Sequence, residues 1–240
     1  MALQMILSQE DNDSPEVKSP GYEYVLLLNT DAGIDEQSLQ ELISSLKKDQ
    51  KVGIAGPVIV DRIDRQHILA AGGVNPALHI NTYAPSLKMW VESAGLCEVD
   101  YVSGTAALLR TDVLLKTGLF DEDYFFSCEM ADLCLRVKKQ GYKCVITPQA
   151  RAWHDMSEAG SQRDTLYMYY SLRNRFLFIR KFYRTLMPVL FCFWALVGGY
   201  SMLKALLHKR YQSFRALRLA LKDGLMGTYG GRNFLFERTD

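Results

Sequence analysis

Residues 185–203 form a run of 19 residues without a formally charged side chain, preceded by Lys181 and Arg184 and followed by Lys204, His208, Lys209 and Arg210. As a helix rising about 1.5 Å per residue, this run approaches the roughly 30 Å hydrocarbon thickness of a bilayer. It can span a membrane, lie in its interface as a hairpin, or be buried against the rest of the chain. Gly198-Gly199 lowers helix propensity in the middle, and Pro188 is tolerable only near a first turn. Charges on both sides leave orientation open. Beyond it, residues 211–222 set Phe214, Leu217, Leu219 and Leu221 among Arg215, Arg218 and Lys222, which suits an interfacial helix. The expectation is membrane association.

The formal net charge of the 240 residues is only +1, but it is the average of two unlike parts. Residues 1–140 hold 12 Lys and Arg against 21 Asp and Glu, a net of −9, which leaves 16 against 6, a net of +10, in residues 141–240. The sum excludes a strongly basic nucleic-acid binder. The asymmetry predicts an acidic chemical part joined to a basic, membrane-facing part. The five cysteines have no CxxC spacing, so neither a zinc knuckle nor a disulfide scaffold is expected. Residues 1–9 lack a positive n-region and a long apolar core, so the front should stay in the cytoplasm.

Three regions follow along the chain. Residues 1–20, polar, acidic and Pro-containing over 9–20, read as a loose arm. Residues 21–160 read as an α/β domain. An apolar run over 22–28 looks like a buried strand ending in Asn29-Thr30-Asp31, and Asp35 can cap a helix with Leu39, Leu42, Ile43 and Leu46 on one face. A second strand, 52–60, is interrupted by Gly56-Pro57. After irregular loops over 61–98, with room for short edge strands, come a small-residue strand at 101–109, a short helix at 112–117, a helix over about 129–140 and a strand at 143–148. Residues 161–240 read as basic and aromatic helices carrying the apolar segment.

Three constellations bear chemistry. A carboxylate such as Asp31 at a strand end can hold a hard divalent cation together with phosphate oxygens, although Asn29 and Asp31 are equally suited to a turn. The acidic run Asp121-Glu122-Asp123, followed by Glu129 and Asp132, can bind hydroxyls and supply a general base, or form a solvated helix face. His154 can donate to a phosphate, bind a metal, or be structural. Arg173 and Arg175 are candidates for diphosphate contact because guanidinium forks match phosphate oxygens.

The ordered set LLLNTD, GIAGPVI, DYVSGTAALLRTDVLLKTGLFDEDYFF, EMADLCLR, QGYKCVITPQARAWH and SLRNRFLF resembles family-two glycosyltransferases, in particular rhamnosyltransferase-like enzymes of surface polysaccharide assembly. The resemblance covers about residues 22–184, and KDGLMGTYGGR is similar to the end of membrane-associated members. It implies a partial GT-A, Rossmann-like mixed sheet with flanking helices and a C-terminal membrane-associated extension. The activity implied is inverting transfer of a sugar from a nucleotide-diphospho-sugar to a lipid-linked or polysaccharide acceptor, at the cytoplasmic face of the cell membrane, with Mg or Mn. On the matching motifs, Asp31 with Asn29 serves the metal and diphosphate, Ser103 and Gly104 the donor sugar, and Asp121 and Glu122 the acceptor. His154 and Arg173 occupy matching positions on the substrate side.

Two departures from the family pattern bear on activity. Members carry a further strand-helix-strand region ahead of the N-x-D strand, so the nucleotide pocket is expected to be incomplete. The acidic pair that opens the third helix reads Glu129-Met130, which leaves Glu129, or Asp132 one turn on, as the expected base. The second reading is therefore a non-catalytic relative that binds glycan or partners a full-length transferase. No nucleic-acid partner is expected on either reading.

Overall fold

A computed structural model describes residues 21–81, 95–155 and 161–236; the predicted arm at 1–20 lies outside them. The chain divides into two compact units: Pro76–Ile80 and Asp121–Glu129 group with the C-terminal helices, and the rest of the described chain before residue 157 forms the first unit. The boundary expected near residue 160 thus has two inserts from earlier in the chain. They belong with the helices because Arg173, Arg175 and Trp194 bond to their backbone carbonyls.

The first unit is a seven-stranded mixed sheet with helices on both faces. Its strands are β1 (Tyr24–Leu28), β2 (Ala32–Ile34), β3 (Val52–Asp61), β4 (Ile68–Ala70), β5 (Cys97–Glu98), β6 (Ala106–Arg110) and β7 (Lys143–His154). The order is β1-β6-β3-β7-β2, with β4 on β3 and β5 on β7. Only β3 and β7 pair in parallel; β6 runs antiparallel between β1 and β3, so β1, β3 and β7 point the same way.

Strand alternation sends neighbouring residues to opposite faces. Ile54, Leu109 and Ile146 join one core with Val113 and Leu114 of α2 (Thr111–Thr117) and Leu133 and Val137 of α3 (Glu129–Lys139). Ala55, Leu108 and Val145 join another with Leu42 and Leu46 of α1 (Glu36–Lys48). Asp35 caps α1, accepting from the Ser38 N–H at 2.7 Å, and that bond holds its carboxyl below the usual aspartate value.

Three local expectations are revised. β1 is an edge strand among the described residues, with Val25 buried but Leu26 and Leu28 exposed, because it pairs only with β6. Gly56-Pro57 does not interrupt β3. The ladder to β7 shifts register after Pro57, where Val58 meets Arg151, so the prolyl residue and its missing N–H are absorbed by an irregularity. β7 likewise continues past Pro148 to His154.

The second unit holds α4 (Ser161–Phe182), α5 (Met187–Leu207) and α6 (Tyr211–Met226). Pro188 falls in the first turn of α5, where its absent N–H costs nothing. The helices approach closely at Gly198, where a Cβ would stand 2.7 Å from a Leu221 methyl of α6 and 3.1 Å from a Leu172 methyl of α4. Among the described residues α5 is the one helix long and apolar enough to cross a membrane, by length and composition alone.

Candidate active site

Polar residues in the first unit gather where β1, β3 and β7 end, the usual ligand side of an α/β sheet. The Asn29 N–H donates to the Thr105 carbonyl at 3.0 Å, and the Ala32 N–H donates to the Asn29 carbonyl at 3.1 Å, which turns the chain into β2. β2 pairs with the end of β7, Ala32 opposite His154, and the Asp155 N–H donates to the Asp31 carbonyl. This pairing sets Asp31 Oδ2 3.1 Å from Nε2 of the buried His154. Ser103 Oγ donates to Thr105 Oγ1 at 3.2 Å, with Gly104 between them. Asn29, Asp31, Ser103, Gly104 and His154 are thus brought to one end of the sheet.

Among the described residues no group of three or more His, Cys, Asp or Glu side chains is arranged as a metal site. The Asp31–His154 pair nevertheless fits part of one. Adjacent ligands on an octahedral ion, each about 2.1 Å from it, stand about 3 Å apart, and such ions commonly take few protein ligands plus substrate phosphates. Sequence reasoning missed Arg62 and Arg65, whose guanidinium carbons lie 5.3 and 5.4 Å from the Trp153 ring centroid. Arg62 also pairs with Asp155. By pattern alone these residues belong to an irregular loop; the parallel register that sets Asp61 beside His154 brings them to this end.

The acidic run lies in the second unit, apart from Asp132. Asp121 pairs with Lys181 at 2.7 Å, and Glu122 is exposed. The chain then enters an unusual turn, with Phe125, Ser127 and Cys128 at φ of 59°, 68° and 70°. Left-handed backbone at non-glycine residues costs about 1–3 kcal/mol each and persists only where the surroundings impose it. Here Arg173 and Asn174 of α4 impose it. Arg173, with no exposed surface, donates to the carbonyls of Asp123 and Tyr124, both at 3.0 Å, and of Gly230 at 2.6 Å. Asn174 Nδ2 reaches the carbonyls of Tyr124, Phe126 and Ser127 at 2.9, 2.7 and 2.6 Å. Arg173, expected at a diphosphate, is instead committed to backbone.

The turn delivers Glu129. Its Oε2 is buried and finds no hydrogen-bond partner among the described residues. Burial disfavours the charged form and raises its pKa above the ordinary value of 4.5. Burial also pushes the neighbouring Cys128 thiol up to about 11, which leaves it protonated and unreactive at neutral pH. Asp132, the other base expected, is fully buried and bonds to Arg136 Nε at 2.7 Å. Arg136 also donates to the carbonyls of Thr117, Gly118 and Leu119 just past α2.

The family described as glycosyl transferase family group 2 matches residues 24–226. The chain belongs to this glycosyltransferase family. It is 23% identical over 230 residues to the dTDP-rhamnosyl transferase RfbF of Shigella flexneri, a match covering 89% of this chain and 73% of that protein. It is 25% identical over 143 residues to an N-acetylglucosaminyl-diphospho-decaprenol L-rhamnosyltransferase of Mycobacterium tuberculosis, covering 55% of this chain and 47% of the other. The chain thus spans about half the length of the mycobacterial protein it matches. Among solved structures, GalNAc-T7 with UDP, GalNAc and Mn2+ aligns at a TM-score of 0.43 and 14% identity, over 63% of this chain and 31% of that one.

In this glycosyltransferase Met130 follows Glu129 and is buried in the sheet-side core, so it cannot carry a proton. Removing Arg136 would take the guanidinium from a buried carboxylate and leave three carbonyls without this donor. Arg136→Ala is expected to destabilise the protein by about 3–5 kcal/mol in urea denaturation; a loss within experimental error would show that Asp132 is not held by this pair.

Proposed function

We propose that the chain is an inverting glycosyltransferase that moves a sugar from a nucleotide-diphospho-sugar to a lipid-linked or polysaccharide acceptor in cell-surface glycan assembly, on a GT-A-like domain. The observation that carries this reading is the Glu129 carboxylate. An acceptor hydroxyl loses its proton as it attacks the anomeric carbon, and a carboxylate whose pKa is raised is the better base. The engagement of Asp132 with Arg136 favours Glu129 for the role. The new bond forms on one face of the sugar while the nucleotide diphosphate leaves from the other, which inverts the anomeric centre.

The remaining roles follow the resemblance. Asn29, Ser103 and Gly104 bind the donor, and Asp121 and Glu122 bind acceptor hydroxyls. A Mg or Mn ion held by Asp31 and His154 with the donor diphosphate would supply positive charge against the leaving group. The names of the relatives make dTDP-rhamnose the first donor to assay and an N-acetylglucosaminyl-diphospho-polyprenol the first acceptor.

Glu129→Gln is expected to lower transfer about 10²–10⁴-fold. The wild-type rate should rise with pH through a pKa above the ordinary glutamate value. The sign for stability is opposite. A raised folded-state pKa means that stability is lost as pH rises and the buried carboxyl ionises. Glu129→Gln should therefore melt higher than wild type near neutral pH and equally at low pH. Full activity in the variant contradicts the assignment.

The membrane role rests on α5. Val189, Leu196, Tyr200, Leu203 and Leu207 are exposed, while Trp194, Gly198 and Ala205 face inward. Seven residues into the helix, Trp194 Nε1 donates to the Ala77 carbonyl at 2.9 Å, and the Arg175 guanidinium lies 4.2 Å from its ring centroid. A guanidinium and an irregular loop are poorly tolerated at hydrocarbon depth. These contacts favour an interfacial seat over a span; the cytoplasmic face is our proposal, with the basic residues around α5 and α6 toward anionic headgroups. Flotation with phosphatidylglycerol vesicles should carry the chain upward and weaken with salt; failure to float on any anionic vesicle contradicts this seat.

A further inference from the structure

Glu129 is reached through the most strained stretch of the described backbone. Four non-glycine residues among the described ones have positive φ, and three of them fall in Phe125–Cys128, immediately before it. The Phe126 N–H turns back onto the Tyr124 carbonyl at 2.6 Å, across Phe125. A phenylalanine does not choose this conformation, so something else must hold it.

The holding is done from two directions within the second unit. From α4, Arg173 and Asn174 occupy the carbonyls of Asp123, Tyr124, Phe126 and Ser127, and Arg173 Nε donates to Asn174 Oδ1 at 2.8 Å, which locks the two side chains together. From the C-terminal loop, the Gly230 N–H donates to the Asp123 carbonyl at 2.9 Å while the Gly230 carbonyl accepts from Arg173. Gly231 lies against the Phe125 ring so closely that a Cβ there would stand 2.9 Å from it. Tyr170 closes the arrangement: its ring centroid is 5.3 Å from that of Phe125, and its hydroxyl accepts from the Arg232 N–H.

We infer that Arg173, Asn174 and the Gly230–Gly231 loop are positioning residues that fix the Glu129 carboxylate for proton abstraction. They act by imposing the left-handed turn that sets where α3 begins. The C-terminal loop, more than 90 residues further along the chain, is then a working part of the catalytic residue's support. The inference rests on the reading of Glu129 as the base.

The test perturbs the support from its exposed side. Gly231 is at the surface, so Gly231→Val displaces the Phe125 ring without emptying the buried Arg173–Asn174 site. A misplaced base lowers turnover about 10- to 100-fold. Gly231→Val is therefore expected to lower kcat to that extent, with an unchanged donor KM and an unchanged melting temperature in the full chain. Asn174→Ala is expected to do the same, with a lower melting temperature. The deciding measurement is the double-mutant cycle with Glu129→Gln. A residue that acts only through Glu129 has no further effect once the carboxylate is gone. Gly231→Val with wild-type kcat, or the same fractional loss in both backgrounds, overturns the inference while leaving the base intact. Full transfer by Glu129→Gln alone removes the base and this support role together.

Discussion

A guanidinium shut away from water must find oxygen atoms, and the second unit is organised around how Arg173 finds them. It carries five N–H donors and no acceptor. Its partners are carbonyls from two separated parts of the chain, the 121–129 insert and the C-terminal loop, plus the neighbouring Asn174 side chain. Leaving those donors unmatched in the interior would cost about 1–3 kcal/mol for each, and more because the group is charged, which together offsets the local strain of the turn. The turn at Phe125–Cys128 is therefore best understood as the shape the backbone takes to satisfy Arg173 and Asn174. Glu129 is the first residue beyond it.

The sheet follows a different logic. Its polar residues converge because β1, β3 and β7 share a direction, and the short β2 folds back to pair with the end of β7. The Asp31–His154 contact is a consequence of that pairing, with Ala32 opposite His154. Arg62 and Arg65 come to the same end because the parallel register continues as far as Asp61. The acidic excess of the first 140 residues is only partly a solvated surface: Asp132 is engaged with Arg136, and Asp121 with Lys181.

What could be read from residues alone was whatever depends on local pattern. The periodicity of Leu39, Leu42, Ile43 and Leu46 and the Asp35 cap have local causes, and they appear where expected; the small-residue strand expected at 101–109 is formed only over Ala106–Arg110. What escaped has non-local causes. β1 looked buried because Tyr22 to Leu28 is apolar, but burial depends on how many neighbours a strand has. Pro148 looked like a strand end because the register shift that tolerates it involves Pro57, far away in sequence. No residue code announces left-handed Phe125, Ser127 and Cys128 within one turn. Arg173 looked like a phosphate ligand because its chemistry suits one; its burial depends on packing against the insert and the tail. Glu129 was legible as an acid beside a methionine, but the buried, unmatched Oε2 was not.

On the proposed function the chain forms a glycosidic bond in one displacement. The most direct measurement is the anomeric configuration of the product, read by nuclear magnetic resonance from the one-bond carbon–hydrogen coupling at the transferred sugar's anomeric carbon. With dTDP-rhamnose and an N-acetylglucosaminyl-diphospho-polyprenol, the account predicts a product whose configuration is opposite to that of the donor. A product that retains the donor configuration would contradict the single displacement and the role given to Glu129.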